Sequence, residues 1–256
     1  MQGVPGVAAD LGVPDGRTAQ RPGKHGMVTA QRSWRWEPSS PISSMDPVTA
    51  TADPHDGRRL TARGAKTRAK IVATAADLIY VQGVGGTTLD DVLAASGVSK
   101  SQLYHHFAGK DALVRAVVDF VGDRVIERER DALGNVSTIR GLRRWRDALV
   151  RNNALRHGAY GCALGALAAA VSDQDDLARK ALANLFIEWQ SLLTDVLRRL
   201  QDGGGLPPDA PVDRLATGLM GALQGGYMLA QTARDVEPMA TSLDMALAHL
   251  ESLSVD

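Results

Sequence analysis

From residue 71 onward apolar residues recur at three- and four-residue spacing, and nowhere do they alternate long enough to suggest a strand. Ile71, Val72, Ala75, Leu78 and Ile79 mark the buried face of a first helix, which Gly83, Gly85 and Gly86 stop. Thr88 with Asp91 three positions on reads as a capping box, since the carboxylate can reach back to the free amides. A short helix follows with Leu89, Val92 and Leu93 inward, ending at Gly97. Ser99 caps a third helix anchored by Leu103 and Phe107; Gly109 breaks it, and a fourth starts near Lys110 with Leu113, Val117, Phe120 and Val121 on one side. The same spacing predicts helices near 138–157, 162–171, 174–202, 212–234 and 236–253, with GGGLPP at 203–208 as the clearest loop. The expected fold is all-α.

Residues 1–57 lack this period and hold seven of the eleven prolines, so they read as a disordered tail; Trp34 and Trp36 have no predicted element to bury them. Met27 and Met45 are candidate translation starts, which would make part of the tail an artefact. The formal net charge of zero excludes a generic polyanion binder and requires any nucleic-acid surface to come from local clustering. Such a cluster exists: Arg58, Arg59, Arg63, Lys66, Arg68 and Lys70 occur with no acidic residue between Asp56 and Asp77. The single cysteine, Cys162, excludes an intramolecular disulfide framework and fits a reducing compartment. No apolar run approaches the roughly 20 residues of a membrane span, so the expectation is a soluble cytoplasmic protein without a membrane partner.

Two short helices around a glycine turn, TLDDVLAASGVSKSQLYHHF at 88–107, have the layout of a helix-turn-helix. Gly97 suits a turn where a side chain would obstruct the crossing, and Val98 can fill the space between the helices. The second helix offers Ser99, Lys100, Ser101, Gln102, Tyr104 and His105 around its two apolar anchors. In a major groove Lys can reach guanine acceptors and Gln can pair with adenine, while hydroxyls hold phosphates.

The run from Gly64 to Phe120 resembles the TetR-family DNA-binding domain along its length: a basic first helix, Gly83 followed by Thr87–Thr88, then GVSKSQLYHHF and a Lys-Asp-Ala-Leu start to helix four. GCALGALAAAV at 161–171 and GALQGGYMLA at 221–230 are similar to one subgroup's second domain. After the disordered tail at 1–57, the resemblance implies a helix-turn-helix DNA-binding domain at 58–110 and a helical ligand-binding and dimerisation domain at 111–256. Lys100, Ser101, Gln102 and His105 would then face base edges or nearby phosphates, with Ser99 and Thr88 at the helix starts beside them. Thr87, Tyr104, His106 and Lys110 would hold the phosphate backbone, and Arg58, Arg59 and Arg63 an arm. The looser Gly85–Gly86 turn and Gln102, in place of a smaller residue, depart from the family pattern.

The implied function is a homodimeric transcriptional regulator, a repressor released from double-stranded operator DNA by a small hydrophobic effector; an activator or a corepressor-dependent regulator is the alternative. Trp145, His157, Tyr160, Cys162, Phe186, Trp189, Tyr227 and Met228 are candidate pocket residues, with ordinary core packing as the competing reading. Cys162 is either a packed thiol or a redox sensor; no cation adjoins it in sequence. Gly218, Gly221, Gly225 and Gly226 are costly in a helix interior and read either as packing inside the protomer or as a dimer seam; the resemblance favours the last two helices as the seam, with Leu243, Leu247 and Leu250 beside the glycines as candidate dimer-interface positions. No cofactor or metal is expected, because His105 and His106 project about 100° apart. An all-α enzyme or binding module without a DNA role is the different-class alternative, but no nucleophile elbow, zinc spacing or phosphate loop supports it.

Overall fold

Nine helices make up most of the residues that the computed structural model describes, 60–155 and 161–254, and no strand occurs among those residues. Arg58, Arg59, His157, Tyr160, Trp34 and Trp36 lie outside the described residues. The helices are α1 (Ala62–Gly86), α2 (Leu89–Ser96), α3 (Lys100–His106), α4 (Lys110–Leu133), α5 (Ile139–Ala154), α6 (Ala163–Val171), α7 (Asp176–Asp202), α8 (Val212–Ala233) and α9 (Glu237–Ser252). α1 runs past its expected stop, but Gly83 breaks its geometry with φ 76° and ψ 165°, and one further turn reaches Gly86. The left-handed φ is why glycine stands at 83.

The first three helices start at side-chain caps. Thr88 and Asp91 form the expected capping box at α2, with the Thr88 amide donating to Asp91 Oδ2 at 2.9 Å. Ser99 and Gln102 form a second one at α3: Gln102 N donates to Ser99 Oγ and Ser99 N to Gln102 Oε1. Gly97 ends α2 at φ 66°, yet a methyl built on it would meet nothing within 4 Å. Its role is the left-handed turn, and the crowding expected there is absent.

α4 and α7 lie side by side in the same direction, tied at successive levels. Arg115 Nη1 donates to Asp175 Oδ2 at 2.6 Å, Arg130 pairs with Glu188, and Arg199 donates to the carbonyls of Leu133 and Val136 just past α4. The Leu133 carbonyl, in the last turn of α4, is among the groups a helix terminus leaves without an intrahelical partner. Asp175 also caps α7 through Leu177 N and Ala178 N. The Ala178 amide and the Arg115 guanidinium hold its carboxyl below the usual carboxylate range. Asp175→Asn keeps the cap, since Asn is an equally good N-cap, and removes only the charge. The expected result is a Tm at pH 7 lower by about 2–4 °C. A lowered folded-state pKa stabilises above the unfolded value and is lost as pH falls through the folded one, so melts of both proteins should converge on acidification.

α8 and α9 form a hairpin closed at Arg234, which takes φ 55°. They approach so closely that a methyl on Gly226 would lie 3.0 Å from Met239 Cα. This corrects the reading of the helical leucines. Leu243, Leu247 and Leu250 are buried within the single chain, and Gly226 faces Met239, so all four serve packing inside the protomer and are closed to a partner. Gly218 and Gly221 are exposed and Gly225 half-buried, and nothing lies within 4 Å of a methyl built on any of them. No helix among the described residues is long and apolar enough to cross a membrane.

Candidate nucleic-acid interface

α3 is only seven residues long, and two anchors fix it. Leu103 is fully buried and Phe107, just past its end, is 3% exposed. Val98, half-buried against the same core, fills the turn as expected. With its inner face held, α3 turns Lys100, Ser101, Gln102, Tyr104 and His105 outward, all exposed, with His106 half-buried. The Lys100 ammonium lies 5.9 Å from the centre of the Tyr104 ring. No acidic residue occurs in α3. α4 begins beyond Gly109 with no side-chain cap, so Lys110 stands where the first amides of a 24-residue helix are open to an anion.

A groove of about 310 Å³ separates the start of α1 from α3, lined by Thr61, Arg63, Gly64, Thr67, Ser101, Gln102, His105 and His106. It brings Arg63 of the basic cluster beside α3. Thr61, Gly64 and Thr67 were missed, although their threefold spacing on one face of a helix start was a usable signal.

Three expected contacts are altered. Thr87 is 3% exposed and its hydroxyl donates to the Gly83 carbonyl at 2.9 Å, which takes it away from any phosphate. Its role is to satisfy the carbonyl that the α1 kink releases. Thr88 is exposed, but its hydroxyl donates to Asp91, and those bonds hold the Asp91 carboxyl below its usual range. Gln102 uses its side-chain oxygen in the α3 cap, and its amide nitrogen takes no part in that bond. Thr87→Val is expected to cost about 1–2 kcal/mol of stability while changing the DNA affinity of the folded protein by less than about twofold. Thermal melts and binding titrations on the same sample separate the two effects.

The candidate pocket residues divide. Trp145 is buried and donates from Nε1 to Glu129 Oε2 at 2.9 Å. Arg128 covers the other carboxylate oxygen, so Trp145 is a partner in a core network. That network escaped the sequence because its members lie on two helices sixteen residues apart. Met228 is 63% exposed and faces away from the interior, which removes it from the set. Phe186, Cys162 and Tyr227 are half-buried against the core, and burial pushes the Tyr227 hydroxyl and the Cys162 thiol up. Cys162 caps α6, accepting from Gly165 N at 3.4 Å. A raised thiol is the opposite of what a reactive cysteine requires. Trp189 is fully buried, and its Nε1 has no hydrogen-bond partner.

Comparison with known proteins agrees with this geometry. Residues 71–117 match the model for bacterial regulatory proteins of the tetR family, and residues 139–246 match a tetracyclin repressor-like C-terminal domain. An uncharacterised HTH-type transcriptional regulator of Mycobacterium tuberculosis is 30% identical over 179 residues, 67% of this chain and 88% of the relative. The HTH-type transcriptional repressor DhaR of a Mycobacterium species is 25% identical over 175 residues, covering 67% and 86%. Among solved structures, a TetR transcriptional regulator from Chloroflexus aurantiacus superposes with a TM-score of 0.67 at 25% identity, over 76% of this chain and 98% of that one.

Proposed function

The chain belongs to the TetR family of HTH-type transcriptional regulators, and on that premise we propose that it is a homodimeric repressor released from operator DNA by a small effector. The observation that carries the proposal is the outer face of α3. It is polar, free of carboxylates, fixed by Leu103 and Phe107, and flanked by Arg63 from α1 and Lys110 from α4. Lys100, Ser101, Gln102 and His105 reach base edges; Tyr104, His106, Lys110 and Arg63 hold phosphates. Residues 58–110 form the DNA-binding domain and 111–256 the effector and dimerisation domain. One relative, DhaR, carries the name of a repressor.

A two-fold dimer reads two half-sites about one helical turn apart or a multiple of it. Support for the seam comes from α8, where Gly218, Gly221, Gly225 and Met228 follow one another at four- and three-residue spacing. On α9, exposed Thr241, Met245 and Ala248 do the same. The effector binds in the second domain near Cys162, Phe186 and Tyr227 and is small and apolar or amphipathic. The unpartnered Trp189 indole nitrogen supports a ligand carrying a hydrogen-bond acceptor. Binding shifts α4, which carries Lys110 at one end and is tied to α7 by Arg115–Asp175. Taking the balance from 1:99 to 99:1 requires about 5.5 kcal/mol of preference for the released state.

The test is selection from a fragmented genomic pool. Enrichment of a short two-fold-symmetric sequence, lost with Tyr104→Ala/Lys110→Ala, is the expected result. A folded dimer that enriches nothing from the whole pool would sink the reading.

A further inference from the structure

The groove between α1 and α3 contains two imidazoles beside an arginine, and neither helix brings a carboxylate to it. We propose that operator binding by this chain is proton-linked: His105 and His106 take up protons as a backbone phosphate enters the groove beside Arg63, so the regulator grips its operator more tightly as pH falls. The inference rests on the operator-binding reading above and adds a mode of regulation to the same site.

The His105 and His106 rings meet edge to face with centroids 5.1 Å apart. A methyl placed on Gly64 of α1 would lie 3.8 Å from His106 Cε1, so the α1 backbone runs beside that ring. Charged and titratable groups come from each neighbouring helix. From α1 come Arg63 and Arg68, the latter 5.2 Å over the Phe107 ring, which itself sits 6.4 Å from His106. From α3 come Lys100 and Tyr104. α4 brings Lys110 and Asp111, the one carboxylate in its first turn. On α2, Asp90 and Asp91 stand at the far start of the motif, Asp91 already bonded to Thr88.

Imidazole is the side chain whose charge changes between about pH 5 and 8. A phosphate placed between the two rings and Arg63 favours their charged form. Binding therefore raises the proton affinity of the pair. By linkage the gain is full at pH below the free-protein titration and lost as pH rises through that of the complex. The added cations also release counterions from DNA only in the protonated form.

The experiment is a fluorescence anisotropy titration of labelled operator at pH 6.0 and pH 8.0, each at two salt concentrations. Wild type, His105→Gln and His105→Gln/His106→Gln are compared, with melts at both pH values to establish folding. The expected wild-type result is at least about fivefold tighter binding at pH 6.0 and a log–log salt slope steeper by about one. Both differences should shrink in the single variant and vanish in the double one, whatever their affinity at pH 8.0. The single variant changes an exposed residue and carries the test if the double variant is unfolded. Specific binding with the same affinity and slope at both pH values overturns the proposal and leaves the operator reading intact. So does a pH dependence that persists undiminished in the folded variants. Absence of a specific complex at either pH overturns both.

Discussion

Leu103→Ala is expected to remove about 2–5 kcal/mol of stability and to abolish operator binding while leaving the protein dimeric. Leu103 has no exposed surface and is the one residue inside α3 that is buried. A seven-residue helix lies far below the roughly 12–15 residues at which an isolated helix becomes marginally stable, so α3 exists because its anchors pack on α1. Truncating the side chain to a methyl leaves a cavity at that contact and frees α3 to fray. The polar residues outside would then lose their common orientation without any of them having been changed. Tyr104→Ala is the counterpart: Tyr104 is 49% exposed, so its loss should leave the melt in place and weaken DNA binding alone. Melts by circular dichroism, light scattering for oligomeric state and DNA titrations distinguish the two.

The second large effect separates two glycines one and a half turns apart on α8. Gly226→Leu brings a Cβ within 3.0 Å of Met239 Cα, a backbone atom that cannot rotate away. The hairpin must open, at an expected cost of about 1–3 kcal/mol or more. At Gly221 the Cβ of a leucine meets nothing within 4 Å in its own chain. Within the protomer it should gain up to ~1 kcal/mol of helix propensity. If a second copy packs against Gly218, Gly221 and Gly225, that leucine obstructs it, and the dimer should dissociate at least about tenfold more readily. Sedimentation at several concentrations reads the dimer constant, and urea melts read the protomer. Equal dimer constants for wild type and Gly221→Leu would remove the α8 face from the interface.

The helix-turn-helix was legible because its determinants are local. Thr88 with Asp91, Ser99 with Gln102, and the left-handed glycines at 83 and 97 act across three residues or fewer, and Leu103 and Phe107 share a face by spacing alone. The second domain was legible as helices but not as surfaces. α9 carries an apolar face of Leu243, Leu247 and Leu250 and a second stripe of Thr241, Met245 and Ala248, and periodicity cannot say which one meets its own chain. The large branched leucines fill the protomer core, where each gains most from burial, and the smaller, less apolar stripe is left outside. Thr87 misled for a related reason: a threonine hydroxyl serves a phosphate or a freed carbonyl equally well, and only the kink at Gly83 selects the carbonyl. The Arg115–Asp175 tie and the Glu129–Trp145 pair join residues on different helices, beyond the reach of any one helix's periodicity, and left no local trace.

The most direct test of the account is the salt dependence of operator binding by wild type and by Tyr104→Ala/Lys110→Ala, measured by anisotropy on the selected operator and on a scrambled duplex. The account predicts specific binding whose logarithm falls linearly with the logarithm of salt concentration. In the double variant affinity should drop at least about tenfold and the slope become shallower by about one, for the lost lysine–phosphate contact. Binding that distinguishes neither the two duplexes nor the two proteins would contradict the assignment of α3 and the start of α4 as the DNA-reading surface.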